Sequence, residues 1–179
     1  REPDSGFRVR IDVARRRSRV FGMEHPHIEA TSDTTERYRQ LAAAARALTE
    51  GEPDRIANYA NVAALLYADL PDVNWVGFYR VLEETLVVGP FQGKAACVRI
   101  PFGEGVCGTA ALRRQTVVVE DVDAFPGHIA CDAASRSEIV VPVVRNGEVV
   151  AVLDVDSPKA GRFDDRDRRG LEKVVAAIP

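Results

Sequence analysis

Residues 139–156 have the sequence IVVPVVRNGEVVAVLDVD, in which two apolar runs flank the dipeptide Asn146-Gly147. Asn-Gly between such runs is the strongest short-range signal of a β-hairpin, because both residues tolerate the positive φ angles of a type I′ turn. The sequence therefore predicts two antiparallel strands, over residues 139–145 and 148–156. Both faces of the second strand are apolar for most of its length, which is typical of a central strand covered on both sides.

Helices are predicted on either side of the strand-rich part of the chain. Asp33 and Glu36 have the form of a capping box for a helix over residues 33–50. A second helix is predicted to begin at Pro53 and to end before Pro71. A final helix begins near residue 165, capped by Asp164.

Further short strands are predicted over residues 74–82, 86–89, 96–100 and 116–120, with a short helix over 106–114. Residues 121–136 form a long connection, which in a compact domain is usually functional or disordered. The predicted fold class is α+β: a mostly antiparallel sheet of about six strands covered by helices.

Composition excludes several classes of protein. Of the 179 residues, 46% are hydrophobic and 28% are charged, and the net charge is −3, which is typical of a globular domain. The negative charge argues against a nucleic-acid partner. No apolar run approaches the roughly 18 residues of a membrane helix, and we find no secretory signal pattern. We therefore expect a cytoplasmic protein with reduced thiols.

The first 22 residues differ from the rest of the chain. They contain seven arginines without clear periodicity, and the only methionine is Met23. We expect residues 1–22 to be a disordered basic tail or an artefact of an incorrectly assigned start, with a nucleic-acid-binding arm as the alternative. Residues 23–179 are expected to form a single domain.

Residues 127–138, with the sequence GHIACDAASRSE, are the main functional candidate. Cys131 follows His128 by three residues, precedes Asp132, and lies in the predicted long connection. Two further cysteines, Cys97 and Cys107, lie near glycine-rich turns upstream. Because a thiolate is a strong nucleophile and polar neighbours lower the thiol pKa, three thiols in loops favour thiol redox chemistry.

Two other interpretations of the cysteines stay open. Free cysteine is among the most buried residue types, so all three could be small core residues. Cys97, Cys107, His128 and Cys131 could instead form a Cys3His zinc site. Structural zinc sites usually bring their ligands in close sequence pairs, which Cys97 and Cys107 do not form. We therefore expect no metal, and we expect no cofactor.

Carboxyl groups on the second hairpin strand and its partner are candidate binding residues. Simple alternation places two sets on opposite faces: Val150, Val152, Asp154 and Asp156 on one, and Val149, Ala151, Leu153 and Val155 on the other. Glu138, at the start of the partner strand, comes within reach of both aspartates. These groups are either ordinary solvated strand-end residues or the wall of a polar pocket. In a pocket, their repulsion raises at least one pKa, and they could bind an ammonium group or donate a proton.

Trp75 and Tyr79 share one face of the first predicted strand, separated by Gly77. Core packing is one interpretation of this pair. The other is an aromatic wall that excludes water from a small-ligand pocket.

From about residue 38 to residue 171, the chain resembles the free methionine-(R)-sulfoxide reductases, enzymes built on a GAF domain. The resemblance rests on five stretches: NWVGFY at 74–79, GPFQGK at 89–94, GVCGTA at 105–110, FPGHIACD at 125–132 and LDVDSP at 153–158. Ordinary ligand-sensing GAF domains lack three cysteines in these contexts. A GAF sensor of small molecules or redox state, without turnover, is the alternative.

The resemblance implies a six-stranded antiparallel GAF sheet, a homodimer, and reduction of free methionine-(R)-sulfoxide with thioredoxin as the reductant. It implies that Cys131 is the nucleophile, Cys97 the principal resolving thiol and Cys107 an accessory cysteine. It also implies a substrate pocket formed by Glu138, Asp154 and Asp156, with Trp75 and Tyr79 as its aromatic side.

Overall fold

The computed structural model describes residues 28–129 and 132–179. The predictions for residues 1–22 and for the start at Met23 lie outside the described residues. In chain order the elements are helices α1 (Thr34–Thr49) and α2 (Arg55–Asp69), strands β1 (Trp75–Leu82), β2 (Thr85–Gln92) and β3 (Arg99–Pro101), helix α3 (Gly105–Arg113), strand β4 (Val117–Val119), a 3-10 turn (Val122–Ala124), strands β5 (Ser137–Arg145) and β6 (Glu148–Ser157), and helix α4 (Asp165–Ala177).

Helix starts are set by aspartate caps. Asp33, Asp54 and Asp164 each accept hydrogen bonds from N–H groups in the first turn of α1, α2 and α4, which satisfies donors that the helix itself leaves open. The predicted capping box at the start of α1 is wrong, because the Glu36 carboxylate instead accepts bonds from side chains of the next turn. Pro53 precedes the cap of α2 rather than beginning the helix.

The predicted six-stranded antiparallel sheet is confirmed for the described part of the chain, where the strand order is β3-β2-β1-β6-β5-β4. The β5–β6 hairpin turns at Asn146 and Gly147, with φ angles of 52° and 81°, as a type I′ turn requires. The strand order places β1 and β6 at the centre of the sheet, with β5 beside β6.

A bulge in β6 corrects the predicted face assignment. Val143 pairs with Ala151 and Val144 pairs with Val149, which leaves Val150 without a cross-strand partner. An extra residue of this kind reverses the alternation beyond it. Val149 consequently packs on the same side as Val152, and Val150 packs on the opposite side.

Two strand boundaries differ from prediction by three residues, and the others by two or fewer. Strand β2 continues past residue 89 to Gln92, because a register shift opposite Phe78 lets it keep pairing with β1. Strand β3 begins only at Arg99. Residues 96–98 lie outside the strand, and Ala96 lines a small cavity with Trp75 and Tyr79.

Two apolar cores lie on opposite faces of the sheet. Helices α1, α2 and α4 cover one face, where fully buried Phe78 and Leu153 pack against helix residues such as Leu41, Leu66 and Leu171. Helix α3 and the loops cover the other face. Burying a side chain of this size stabilises the fold by about 1.5–3 kcal/mol. Among the described residues, no helix is both long and apolar enough to cross a bilayer.

Candidate active site

The sheet register places the predicted site residues in adjacent rows. Trp75 pairs with Asp156, and Asp156 pairs with Glu138 on its other side. In the next row Gly77 pairs with Asp154. Residues directly opposite each other project from the same face of a sheet, so these side chains all lie on the face that α3 covers.

A cavity opens over these rows. Its walls are formed by residues of strands β1, β3, β5 and β6, of helix α3 and of segments 128–129 and 132–135: Tyr79, Ile100, Gly105, Val106, Cys107, His128, Ile129, Asp132, Ser135, Glu138, Asp154 and Asp156. A smaller cavity beside it is bounded by Trp75, Tyr79, Ala95 and Ala96 and shares three aspartates with it. The structure therefore brings together six of the eight predicted site residues. Of the other two, Cys97 is not among the residues that line either cavity.

The three carboxyl groups are held largely away from water. Glu138 is 6% exposed and Asp154 is 7% exposed. Burial raises the pKa of both groups well above their ordinary values, and the pKa of Asp156 is raised for the same reason. Repulsion between neighbours raises all three pKa values further. Asp154 Oδ1 is buried and has no hydrogen-bond partner among residues 28–129 and 132–179, so within this part of the chain the oxygen is available to a donor in the cavity.

Cys107 lies in the first turn of α3, which corrects its grouping with loop thiols. Its side chain is buried, and Sγ donates a weak hydrogen bond to Glu138 Oε1 at 4.0 Å. Burial raises the pKa of this thiol, and the negative charges of Asp154 and Glu138 raise it further. Cys107 is therefore protonated at neutral pH, which makes it a poor nucleophile.

His128 lies on the rim of the cavity. Its Nε2 is 3.6 Å from Glu138 Oε2, and burial lowers the pKa of the imidazole. Of the alternative Cys3His set, the three described members, Cys97, Cys107 and His128, do not lie within mutual reach. The potential metal ligands that lie within mutual reach in the described part of the chain are Cys107, Glu138 and Asp154, without Cys97 or His128.

The aromatic pair forms one wall of the site. The Trp75 and Tyr79 rings are stacked with centroids 5.8 Å apart, and the Phe91 ring also stacks on Trp75, with centroids 5.3 Å apart. Gly77 makes room for this arrangement: a Cβ there would lie 2.4 Å from the Trp75 ring and 2.4 Å from Phe91 Cβ.

Three polar residues that the sequence did not mark as site residues, Asn74, Lys94 and Asp132, hold the nearby loops together. Asp132 accepts hydrogen bonds from Ala134 N at 3.0 Å and Asn74 Nδ2 at 3.4 Å, and it forms an ion pair with Lys94 at 3.2 Å. These contacts lower the pKa of Asp132. The hydrogen bond from the Ala134 backbone has the largest effect, and Lys94 and Asn74 have smaller ones. Only the contact between Asp132 and Ala134 is local in the sequence. Lys94 and Asn74 are too distant in sequence for a local pattern to reveal their contacts with Asp132.

Comparison with known proteins agrees with this geometry. A GAF domain profile matches residues 61–178. The free methionine-R-sulfoxide reductase of Escherichia coli is 55% identical over 80% of this chain and 87% of its own length. The enzyme of the same name from Saccharomyces cerevisiae is 41% identical over 87% of this chain and 91% of its own. The Neisseria meningitidis free methionine-R-sulfoxide reductase, solved in complex with its substrate, superposes with a TM-score of 0.80 at 45% identity, covering 84% of this chain and 90% of that one.

The chain belongs to the free methionine-R-sulfoxide reductase family. The predicted GAF fold and the predicted family membership are thereby confirmed. Cys131 itself lies outside the described residues, but Ile129 and Asp132, which flank it closely in sequence, both line the cavity of this reductase family member. The separate roles of the three cysteines, the three carboxyl groups and the two aromatic residues stay predictions.

Proposed function

We propose that this protein is an oxidoreductase that reduces free methionine-R-sulfoxide to methionine at the cavity over β1, β5 and β6. The observation that supports this most strongly is the buried group of Glu138, Asp154 and Asp156 beside an aromatic wall. A group of acids in a low-dielectric cavity favours a cationic ligand, because a positive charge relieves both their desolvation and their mutual repulsion. The ammonium group of a free amino acid provides that charge, whereas the amide nitrogen of a peptide does not.

The same carboxyl groups supply the acid for the reaction. Repulsion keeps at least one of them protonated while another is ionised beside the ammonium. The Cys131 thiolate attacks the sulfoxide sulfur as the protonated carboxyl group delivers a proton to the sulfoxide oxygen. The new bond between the two sulfur atoms and the S–O bond of the substrate then break as the oxygen moves to Cys131. The products are methionine, reduced by two electrons, and a Cys131 sulfenic acid.

Recycling of the enzyme needs a second thiol. The Cys97 thiol attacks the Cys131 sulfenic acid, a disulfide forms and water is released. A dithiol exchanges with this disulfide and is itself oxidised; we propose thioredoxin for this role. A homodimer and a cytoplasmic location, where such a reductant keeps thiols reduced, are further parts of the proposal.

Single-turnover measurements on cysteine variants test this assignment. Reduced Cys97→Ser should release about one methionine per subunit and then stop as a trapped sulfenic acid, since its resolving thiol is absent. Cys131→Ser should release none, because an alcohol is a far weaker nucleophile than a thiolate. Cys107→Ser is the matched control and should also release its first methionine. Quantification of methionine, with mass spectrometry of the enzyme, separates these outcomes.

Methionine release by Cys131→Ser at the wild-type rate would contradict the role of Cys131. Binding of methionine sulfoxide by the wild-type enzyme without any release of methionine would instead favour a GAF sensor.

A further inference from the structure

An ion pair joins two separate parts of the cavity rim. Lys94 Nζ lies 3.2 Å from Asp132 Oδ1, across 38 residues of sequence. Lys94 belongs to the 93–98 segment that contains Cys97, and Asp132 begins the described part of the chain after Cys131. The pair therefore connects the segment of the predicted resolving thiol to the loop of the predicted nucleophile.

The backbone at residues 93–94 is held against Asn74 and Trp75. The Lys94 carbonyl oxygen accepts a hydrogen bond from Trp75 Nε1 at 3.0 Å. Gly93 has a φ angle of +124°, and a Cβ there would lie 2.7 Å from Trp75 Cδ1 and 2.8 Å from the Asn74 carbonyl oxygen. This close approach places the start of the segment directly on β1.

The side chain of Asp132 is held by hydrogen bonds from its own loop and from Asn74. Its carboxylate accepts bonds from Ala134 N and Asn74 Nδ2, and Asn74 Nδ2 also donates to Ser135 Oγ at 3.1 Å. The side chain of Asp132 is only 12% exposed, whereas that of Lys94 is 72% exposed. The Lys94 backbone is therefore held by Trp75 and the Asp132 carboxylate by Asn74 and Ala134, and the ion pair of the lysine side chain links the two segments.

We propose that Lys94 is a positioning residue for the disulfide-forming step, acting through its ion pair with Asp132. The proposal rests on the proposed function. The ion pair holds the 93–98 segment against the loop that follows Cys131, so that the Cys97 thiol meets the sulfenic acid; a disulfide forms, and the sulfenic oxygen leaves as water. In this role Lys94 takes no part in the chemistry of the substrate or of the sulfur atoms, and the first step, which releases methionine, does not depend on it.

Rapid mixing of reduced enzyme with free methionine-R-sulfoxide, without any other reductant, separates the two steps. Methionine release and the Cys97–Cys131 disulfide are quantified in the same quenched samples. Exposed ion pairs are weak, so Lys94→Met should slow disulfide formation by about threefold, and Lys94→Glu, which places two like charges together, by about tenfold. Lys94→Arg should restore the wild-type rate.

Two controls separate positioning from a general loss of structure. Lys159→Met removes another exposed lysine that pairs with an aspartate, Asp72, at 2.8 Å, and should leave both steps unchanged. Raising the salt concentration from about 0.05 M to about 0.5 M should slow disulfide formation in the wild type toward the rate of Lys94→Met, and should not affect that variant.

Wild-type rates of disulfide formation in both Lys94→Met and Lys94→Glu would overturn the proposal. Parallel slowing of methionine release would overturn it as well, because Lys94 would then act on the nucleophile itself. Failure of the proposed function is distinct from either result, since the wild-type enzyme would then release no methionine at all.

Discussion

Glu138 and Asp154 are carboxyl groups that the fold places almost out of contact with water, on neighbouring strands. Burial is the largest cause of their raised pKa values, and the nearby charge is the next. A folded protein with raised carboxyl pKa values holds protons that its unfolded chain releases above about pH 4. The site therefore destabilises the folded state at neutral pH unless a cation occupies it.

The stability of Asp154→Asn tests this electrostatic cost. Stability from a raised carboxyl pKa is fully present below the unfolded pKa of about 4 and is lost as the pH rises through the folded pKa. The wild type should thus lose stability relative to Asp154→Asn as the pH rises above about 4. The contribution of His128 cancels in this difference, because Asp154 does not shift its pKa. The repulsion that Asp154 exerts on Asp156 is lost in the variant and adds to the difference. Thermal unfolding measures it, since about 1 kcal/mol shifts Tm by about 2–4 °C at this size. A difference in Tm that does not change with pH would contradict the burial of Asp154.

At the scale of elements, β1 builds the aromatic wall from a single local pattern. Trp75, Gly77 and Tyr79 project from the same face, and the absence of a side chain at Gly77 lets the indole ring lie across the strand. The indole N–H then holds the carbonyl oxygen of Lys94. One strand thus fixes both a wall of the cavity and the start of the segment that contains Cys97.

Gly77→Ala should disturb the wall and the activity together. The added methyl group overlaps the Trp75 ring and Phe91, which should reduce the free energy of unfolding by about 1–3 kcal/mol and lower kcat/KM. Gly161→Ala is the control: Gly161 has a φ angle of 62° with no atom near its Cβ position, so it should cost about 1 kcal/mol of stability without lowering kcat/KM. Equal kcat/KM values for Gly77→Ala and wild type would show that Trp75 does not shape the substrate site.

At the scale of the whole molecule, the core formed with three helices and the predicted active site lie on opposite faces of the sheet. Helices α1, α2 and α4 pack on one face, while α3 and the segments 128–129 and 132–135 line the predicted site on the other. The central strands β1 and β6 serve both, because alternate residues project to opposite faces. Phe78 and Leu153 belong to the helical core, and their chain neighbours Tyr79 and Asp154 line the cavity.

Local sequence patterns predicted the parts of this arrangement that depend on local physics. Asn146-Gly147 marked the hairpin, Asp164 marked the start of α4, and period-two alternation placed Asp154 and Asp156 together. The bulge at Val150 was not predictable, because it depends on pairing with β5 rather than on a local residue preference. The Lys94–Asp132 ion pair was missed for the same reason, since it forms only when two loops distant in sequence meet on the sheet.

Substrate selectivity tests the proposed site most directly. Initial rates with free methionine-R-sulfoxide, its S epimer and N-acetylmethionine-R-sulfoxide are compared in a thioredoxin-coupled assay, with chiral chromatography of the remaining substrate. Acetylation removes the ammonium charge and leaves buried carboxyl groups unpaired, so kcat/KM should fall by about 10⁴. A racemic mixture of the free sulfoxide should be about half consumed, because the two epimers at sulfur need separate enzymes. Comparable kcat/KM values for the free and acetylated substrates would contradict recognition of the ammonium group by Glu138, Asp154 and Asp156.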